Sequence, residues 1–175
     1  MGKRRVITGD DRDGRAVIVA DEVLAPTTIA IAPGAEFYTM WGADSLVALP
    51  SDGSQPPMHG WFPPSAGFRF TILTMPPAGA AEPPADMKAA MDEIGAKLPG
   101  MIESIDPAHP HLHVTDTIDF IVIVSGCIWL EMDDGKEVEL KKGDTVIQNG
   151  TRHSWHNRSG ESCEMLAAVV GARRR

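Results

Sequence analysis

An all-β sandwich or barrel carrying one inserted helix is the fold class that the sequence predicts, and three observations predict it. Short runs rich in β-branched and aromatic residues recur from Phe68 to Val170. Turn signals such as Asp133-Asp134-Gly135 and Lys142-Gly143-Asp144 divide them, and a single stretch after Asp86 has a helical period. At 175 residues and 43% hydrophobic, the chain can bury one sizeable core and is short for two. Residues 1–66 are therefore read as an N-terminal β extension and loop of the same domain, 67–171 as the barrel and 172–175 as a basic tail.

The elements follow in order. Arg5 to Thr8 and Ala16 to Ala20 flank an Asp/Gly-rich turn, the pattern of a hairpin. TTIAIA and AEFYTMW are strand-like pieces parted by Pro33-Gly34. From Gly42 to Gly67 the composition turns to Pro, Ser, Gly and Asp, which predicts a long surface excursion. Phe68 to Met75 alternates as a strand, and Pro76-Pro77 stops it because proline cannot donate to a ladder. The proline-rich AAEPPA leads to Asp86 as N-cap of a helix. Met87, Ala90, Met91, Ile94 and Leu98 then recur at helical spacing until Pro99-Gly100, as a helix packing on the barrel. Phe120 to Ser125, Cys127 to Met132, Glu137 to Leu140, Thr145 to Gln148 and Cys163 to Val170 complete the β pattern.

Charge and composition exclude several functions. The chain has 24 acidic and 16 basic residues, and six of the basic ones sit in Lys3-Arg4-Arg5 and Arg173-Arg174-Arg175, so the interior is more acidic still and nucleic acid is not an expected partner. Cys127 and Cys163 are too few for a disulfide framework and form no C-x-x-C pair; both are expected reduced and buried. No apolar segment follows the basic start, as a secretory signal requires, and no run approaches the ~20 apolar residues that span a bilayer. A cytoplasmic protein without a membrane partner is expected.

HPHLHVTDTID, residues 109–119, concentrates three histidines and two aspartates ahead of an apolar run. If the chain is extended from His111 onward, His111, His113, Thr115, Thr117, Asp119, Ile121 and Ile123 share one face, polar first and apolar later, as for a strand entering a barrel mouth. The opposite face, including Ile118, Phe120 and Val122, is free to pack on a second sheet or a partner subunit. Downstream, Gln148, His153, His156 and Asn157 cluster around Gly150, where a loop brings His153 back toward the first strand. Two or three imidazoles and a carboxylate are a workable ligand set for iron, manganese, nickel, copper or zinc, although spacing alone does not establish it.

The two clusters resemble the halves of the cupin signature. Asp119 is followed after six residues by Gly126, and Gly150 to Asn157 reproduces the G-x-x-H-x-x-x-N ending. The resemblance runs from about Phe68 to Val170 and implies a cupin-type double-stranded β-helix, a jelly-roll barrel. Asp119 stands where the family pattern has glutamate, five residues separate it from His113 instead of three or four, and Gln148 stands where proline is usual. TDTIDF and IQNGTRHSWHN are similar to a subgroup of small bacterial and fungal cupins found beside catabolic or secondary-metabolite genes.

The resemblance implies a divalent transition metal held by His113 and His153, with His111, Asp119 or Gln148 as further ligands; Asp119 is alternatively a carboxylate that orients a histidine. Arg69, Thr115, Thr117, Ile121 and Trp129 are the expected substrate-pocket residues, and His156 is expected to be structural. Two functions remain open: a metal-dependent enzyme (oxygenase, isomerase or decarboxylase) acting on a small organic acid, phenolic or polyketide-like metabolite, or a metal-free small-molecule-binding cupin. No catalytic residue is singled out. The apolar strand DFIVIV beside an open sheet edge suits a homodimer.

Overall fold

A computed structural model describes residues 2–80, 82 and 84–175, so part of the proline-rich stretch ahead of the helix lies outside the described residues. Its strands are β1 (Lys3–Asp10), β2 (Ala16–Leu24), β3 (Glu36–Ala43), β4 (Phe68–Met75), β5 (Ile105–Asp106), β6 (His109–His113), β7 (Thr117–Ser125), β8 (Cys127–Met132), β9 (Glu137–Lys141), β10 (Thr145–Gln148), β11 (His153–His156) and β12 (Cys163–Gly171). The helix α1 (Met87–Lys97) lies between β4 and β5. β1 and β2 form a separate two-stranded hairpin. The other strands make two five-stranded sheets, in the orders β10-β7-β12-β4-β3 and β5-β6-β11-β8-β9.

The two sheets pack their inner faces together in a jelly-roll arrangement without closing into one continuous hydrogen-bonded barrel. Ile121 and Ile123 of β7 and Met165, Ala167 and Val169 of β12 meet Ile128 and Leu130 of β8 and Leu140 of β9 in one buried cluster. β7 shows why. Its sequence alternates, and Thr117, Asp119, Ile121 and Ile123 are buried while Ile118, Phe120, Val122 and Val124 are exposed.

A second cluster lies beside the first. Asp86 caps α1 by accepting the Ala89 amide at 3.0 Å, and the apolar stripe of Ile94 and Leu98 packs on Ile29, Ala35 and Phe37. This closes one end of the sheet pair.

Three local expectations change. TTIAIA is not a strand: Thr27 makes one isolated bridge to Phe37, and the next residues fold into turns through Ala32 N to Ile29 O and Ala35 N to Ala32 O, with Pro26 and Pro33 withholding ladder donors. His153–His156, taken as turn, is the strand β11. The segment from His111 to Ile123 is two strands in different sheets, because the chain crosses between sheets at residues 114–116.

Candidate functional site

A cavity of about 280 Å³ opens between the inner sheet faces. His113, at the end of β6, and His153, at the start of β11, are a register pair in the same sheet, and their ring centroids lie 4.1 Å apart at its wall. Asp119 and Ile121 reach it from the facing sheet on β7. The local sequence sets this up at two glycines. Gly126, between β7 and β8, has φ +71°, and a Cβ there would stand 2.5 Å from Ser162 O. Gly150 has φ +60° with Thr115 O 2.9 Å from its would-be Cβ. Both motif glycines are therefore demanded by backbone geometry rather than by chemistry.

Burial keeps the imidazoles neutral. The His113 pKa is pushed down to about 3, first by burial and then by the neighbouring His153, and burial also lowers His153 against a smaller opposing effect of its bond to Thr151. His153 Nδ1 lies 2.9 Å from Thr151 O, which accepts, and 3.0 Å from Gln148 Nε2, which donates, so the turn holds the ring through Nδ1. Burial pushes the Asp119 carboxyl up, partly offset by a Thr117 hydrogen bond, and Asp119 Oδ1 is buried without a partner. Two unprotonated imidazoles and an orphaned carboxylate oxygen are donors of the kind a divalent transition metal takes.

The remaining expected residues are placed differently. His111 is exposed and stands edge-on to His109 at 6.3 Å, away from the cavity. Gln148 is buried, and its Nε2 donates to Thr151 O at 3.0 Å and Thr151 Oγ1 at 2.6 Å; it braces the turn beneath His153 rather than lining the cavity. Thr115 and Thr117 stack hydroxyls 2.7 Å apart behind Asp119. Arg69 is 1% exposed and clamps the long excursion, donating to Ala43 O, Phe68 O, Gly60 O and Asp44 Oδ1. Trp129 is half-buried opposite His156 and Glu139 in the ladder. Of the five expected pocket residues, Ile121 lines this cavity.

Other wall residues escaped the sequence reading. Trp155 stands 5.9 Å edge-on to His153, and period 2 along β11 was the signal that could have placed it on the same face. Thr71 and Leu73 share a face of β4 in the same way. Phe37 and Trp61, edge to face at 5.5 Å, come from distant segments with no local signal.

A second group lies on the other face of the β8 sheet. The ligand atoms of Glu131, Glu137 and His156 fall within 4.8 Å of one another. His156 Nε2 pairs with Glu131 at 2.6 Å and Arg158 pairs with Glu137 through both guanidinium arms, so each carboxylate of the group already has a side-chain partner. Both free cysteines lie elsewhere, Cys163 buried and Cys127 half-buried.

Comparison with known proteins finds likenesses over parts of the chain. Residues 101–169 match the family model described as the cupin domain. Over 70 residues the chain is 41% identical to a phomopsin biosynthesis cluster protein C' of Diaporthe leptostromiformis, covering 37% of each. Over 49 residues it is 39% identical to a cupin-domain-containing oxidoreductase, srdD, of Neurospora crassa, covering 28% of this chain and 25% of that one. The aligned segments thus span little more than a third, at most, of these curated relatives. Among solved structures, the Schizosaccharomyces pombe Cnp3 cupin domain aligns over 97% of this chain and 88% of that one at 12% identity and a TM-score of 0.49. The segment that matches the cupin domain model contains both imidazoles, the carboxylate and the two motif glycines.

Proposed function

We propose that the chain is a metal-dependent cupin enzyme of small-molecule metabolism, with His113 and His153 as its imidazole ligands and Asp119 as the carboxylate of the site. One observation carries this reading: two neutral imidazoles, His153 buried and His113 half-buried, face each other at 4.1 Å on the wall of a largely apolar cavity. A divalent iron, manganese, nickel, copper or zinc ion there supplies Lewis-acid polarisation or a binding position for dioxygen. Thr151 O orients the His153 ring, Gln148 stiffens the turn that carries it, and Thr117 holds Asp119. Apolar walls exclude water from the reacting groups. The reaction is an oxygenation, isomerisation or decarboxylation of a small organic acid, phenolic or polyketide-like metabolite. The description of the Neurospora relative as an oxidoreductase, and the biosynthesis-cluster names of others, favour redox chemistry on a secondary metabolite.

Replacing His113 and His153 by alanine, singly, in protein purified without a histidine tag is expected to reduce bound transition metal from about one equivalent to below about a tenth, with the far-ultraviolet spectrum retained. Unchanged metal content in both variants contradicts the ligand assignment. Wild-type protein that takes up no metal while still binding a small molecule supports the competing reading, a metal-free binding cupin. That reading draws on the largely apolar wall and on the burial that pushes the Asp119 carboxyl up.

The exposed face of β7 suits a second copy of this chain. Ile147, Phe120, Ala168 and Phe70 align across four neighbouring strands as an apolar row, and Phe120 is 48% exposed.

A further inference from the structure

Resting on the reading of this cavity as a substrate site, we infer that it takes a neutral, planar, largely apolar molecule bearing a hydroxyl or carbonyl group, with Thr71 as the specificity-determining partner of that group. The walls select for planarity and softness. Phe37, Trp61, Phe62 and Trp155, four of the ten aromatic residues of the chain, line this one space. Met75, Met101 and Met165 add polarizable sulfur against them. A volume of about 280 Å³ suits a molecule of one or two rings.

The same walls discriminate against acids. Among the described residues no lysine or arginine lines the cavity. Arg69, the nearest buried cation in the sequence of the wall strands, has its guanidinium committed to Ala43 O, Phe68 O, Gly60 O and Asp44 Oδ1. Where no metal sits at His113 and His153, an anionic ligand would therefore lose its hydration with no counter-ion to replace it.

Thr71 is the polar exception on the β4 side. It is 2% exposed, lines the cavity, and its Oγ1 is buried with no hydrogen-bond partner. Buried hydroxyls are almost always paired, so a ligand group is the partner this position lacks. In the ladder Thr71 stands opposite Ala167, and Ala167 opposite Ile121, which puts Thr71 two strands from β7 and its Asp119. Two strand spacings of roughly 4.8 Å each separate this hydroxyl from the carboxylate strand, about the length of a two-ring molecule.

The test uses three probes that share one ring system: 2-naphthol, naphthalene and 2-naphthoate, titrated calorimetrically into the protein as purified and into Thr71→Val and Thr71→Ser. Wild-type protein is expected to bind 2-naphthol about tenfold more tightly than either of the others. Thr71→Val, which keeps shape and removes the hydroxyl, brings 2-naphthol to within about threefold of naphthalene and leaves naphthalene unchanged; Thr71→Ser keeps the preference. Tighter binding of 2-naphthoate, a naphthol-to-naphthalene ratio that Thr71→Val leaves unaltered, or no binding of 2-naphthol would overturn the inference. Metal content measured on the same samples separates the two claims: its absence sinks the metal centre alone, whereas the ratio judges Thr71 alone.

Discussion

At the residue scale, His113 carries the sharpest signature, because its chemistry is set by burial rather than by its neighbours in sequence. Unfolding returns it to the ordinary imidazole value of 6.5 from about 3 in the folded chain. Between those values the unfolded chain binds the additional proton, so stability is present above 6.5 and is lost as pH falls toward 3. Metal-stripped protein is expected to show an unfolding midpoint that declines over this window, and His113→Ala should flatten the decline; an equally steep slope in the variant would remove His113 as its source. Asp119 acts with the opposite sign. Its raised carboxyl favours the folded state at low pH and loses that contribution as pH rises through the folded value. His113, Asp119 and His153 could be named from the sequence because the motif spacing and strand period point at them. Phe37 and Trp61 could not, since they meet only when β3 and the long excursion pack together. His111 illustrates the limit of parity: it shares the period of His113, yet the strand turns it out to solvent.

At the element scale, the signature residues that are not chemical are turn residues. Asn157 closes the exit of β11, donating to Met75 O and Glu161 O and accepting from Ser159 N and Oγ. Asn157→Ala removes the buried amide that ties Met75 O to this turn and is expected to cost about 2 kcal/mol in urea unfolding without a change in the denaturant slope. Gly126→Ala meets both a left-handed backbone and the Ser162 carbonyl, and a loss of at least about 2 kcal/mol is expected; a loss under about half of that would show that the turn relaxes. The strands from β7 to β10, β12 and the helix were legible because alternation, turn residues and an Asp cap each act locally. TTIAIA misled because its β-branched composition is overridden by flanking prolines, and β11 was hidden because four residues with two histidines and a tryptophan give no hydrophobic alternation.

At the scale of the whole molecule, two facing sheets leave one sheet with an apolar outer surface, which a second copy can cover. Phe120→Glu is expected to shift the native molecule from dimer to monomer in size-exclusion chromatography with light scattering; a wild-type monomer would dispose of that interface. The inner faces hold the central claim, that the metal lies between the imidazoles of β6 and β11. The two candidate positions are on opposite faces of one sheet, so locating the ion decides between them. Anomalous diffraction from crystals of the metal-loaded protein, collected at the absorption edge of the bound element, tests this most directly. The account predicts a peak within coordination distance of His113 and His153; a peak at Glu131, Glu137 and His156 instead, or none in the cavity of fully loaded protein, would contradict it.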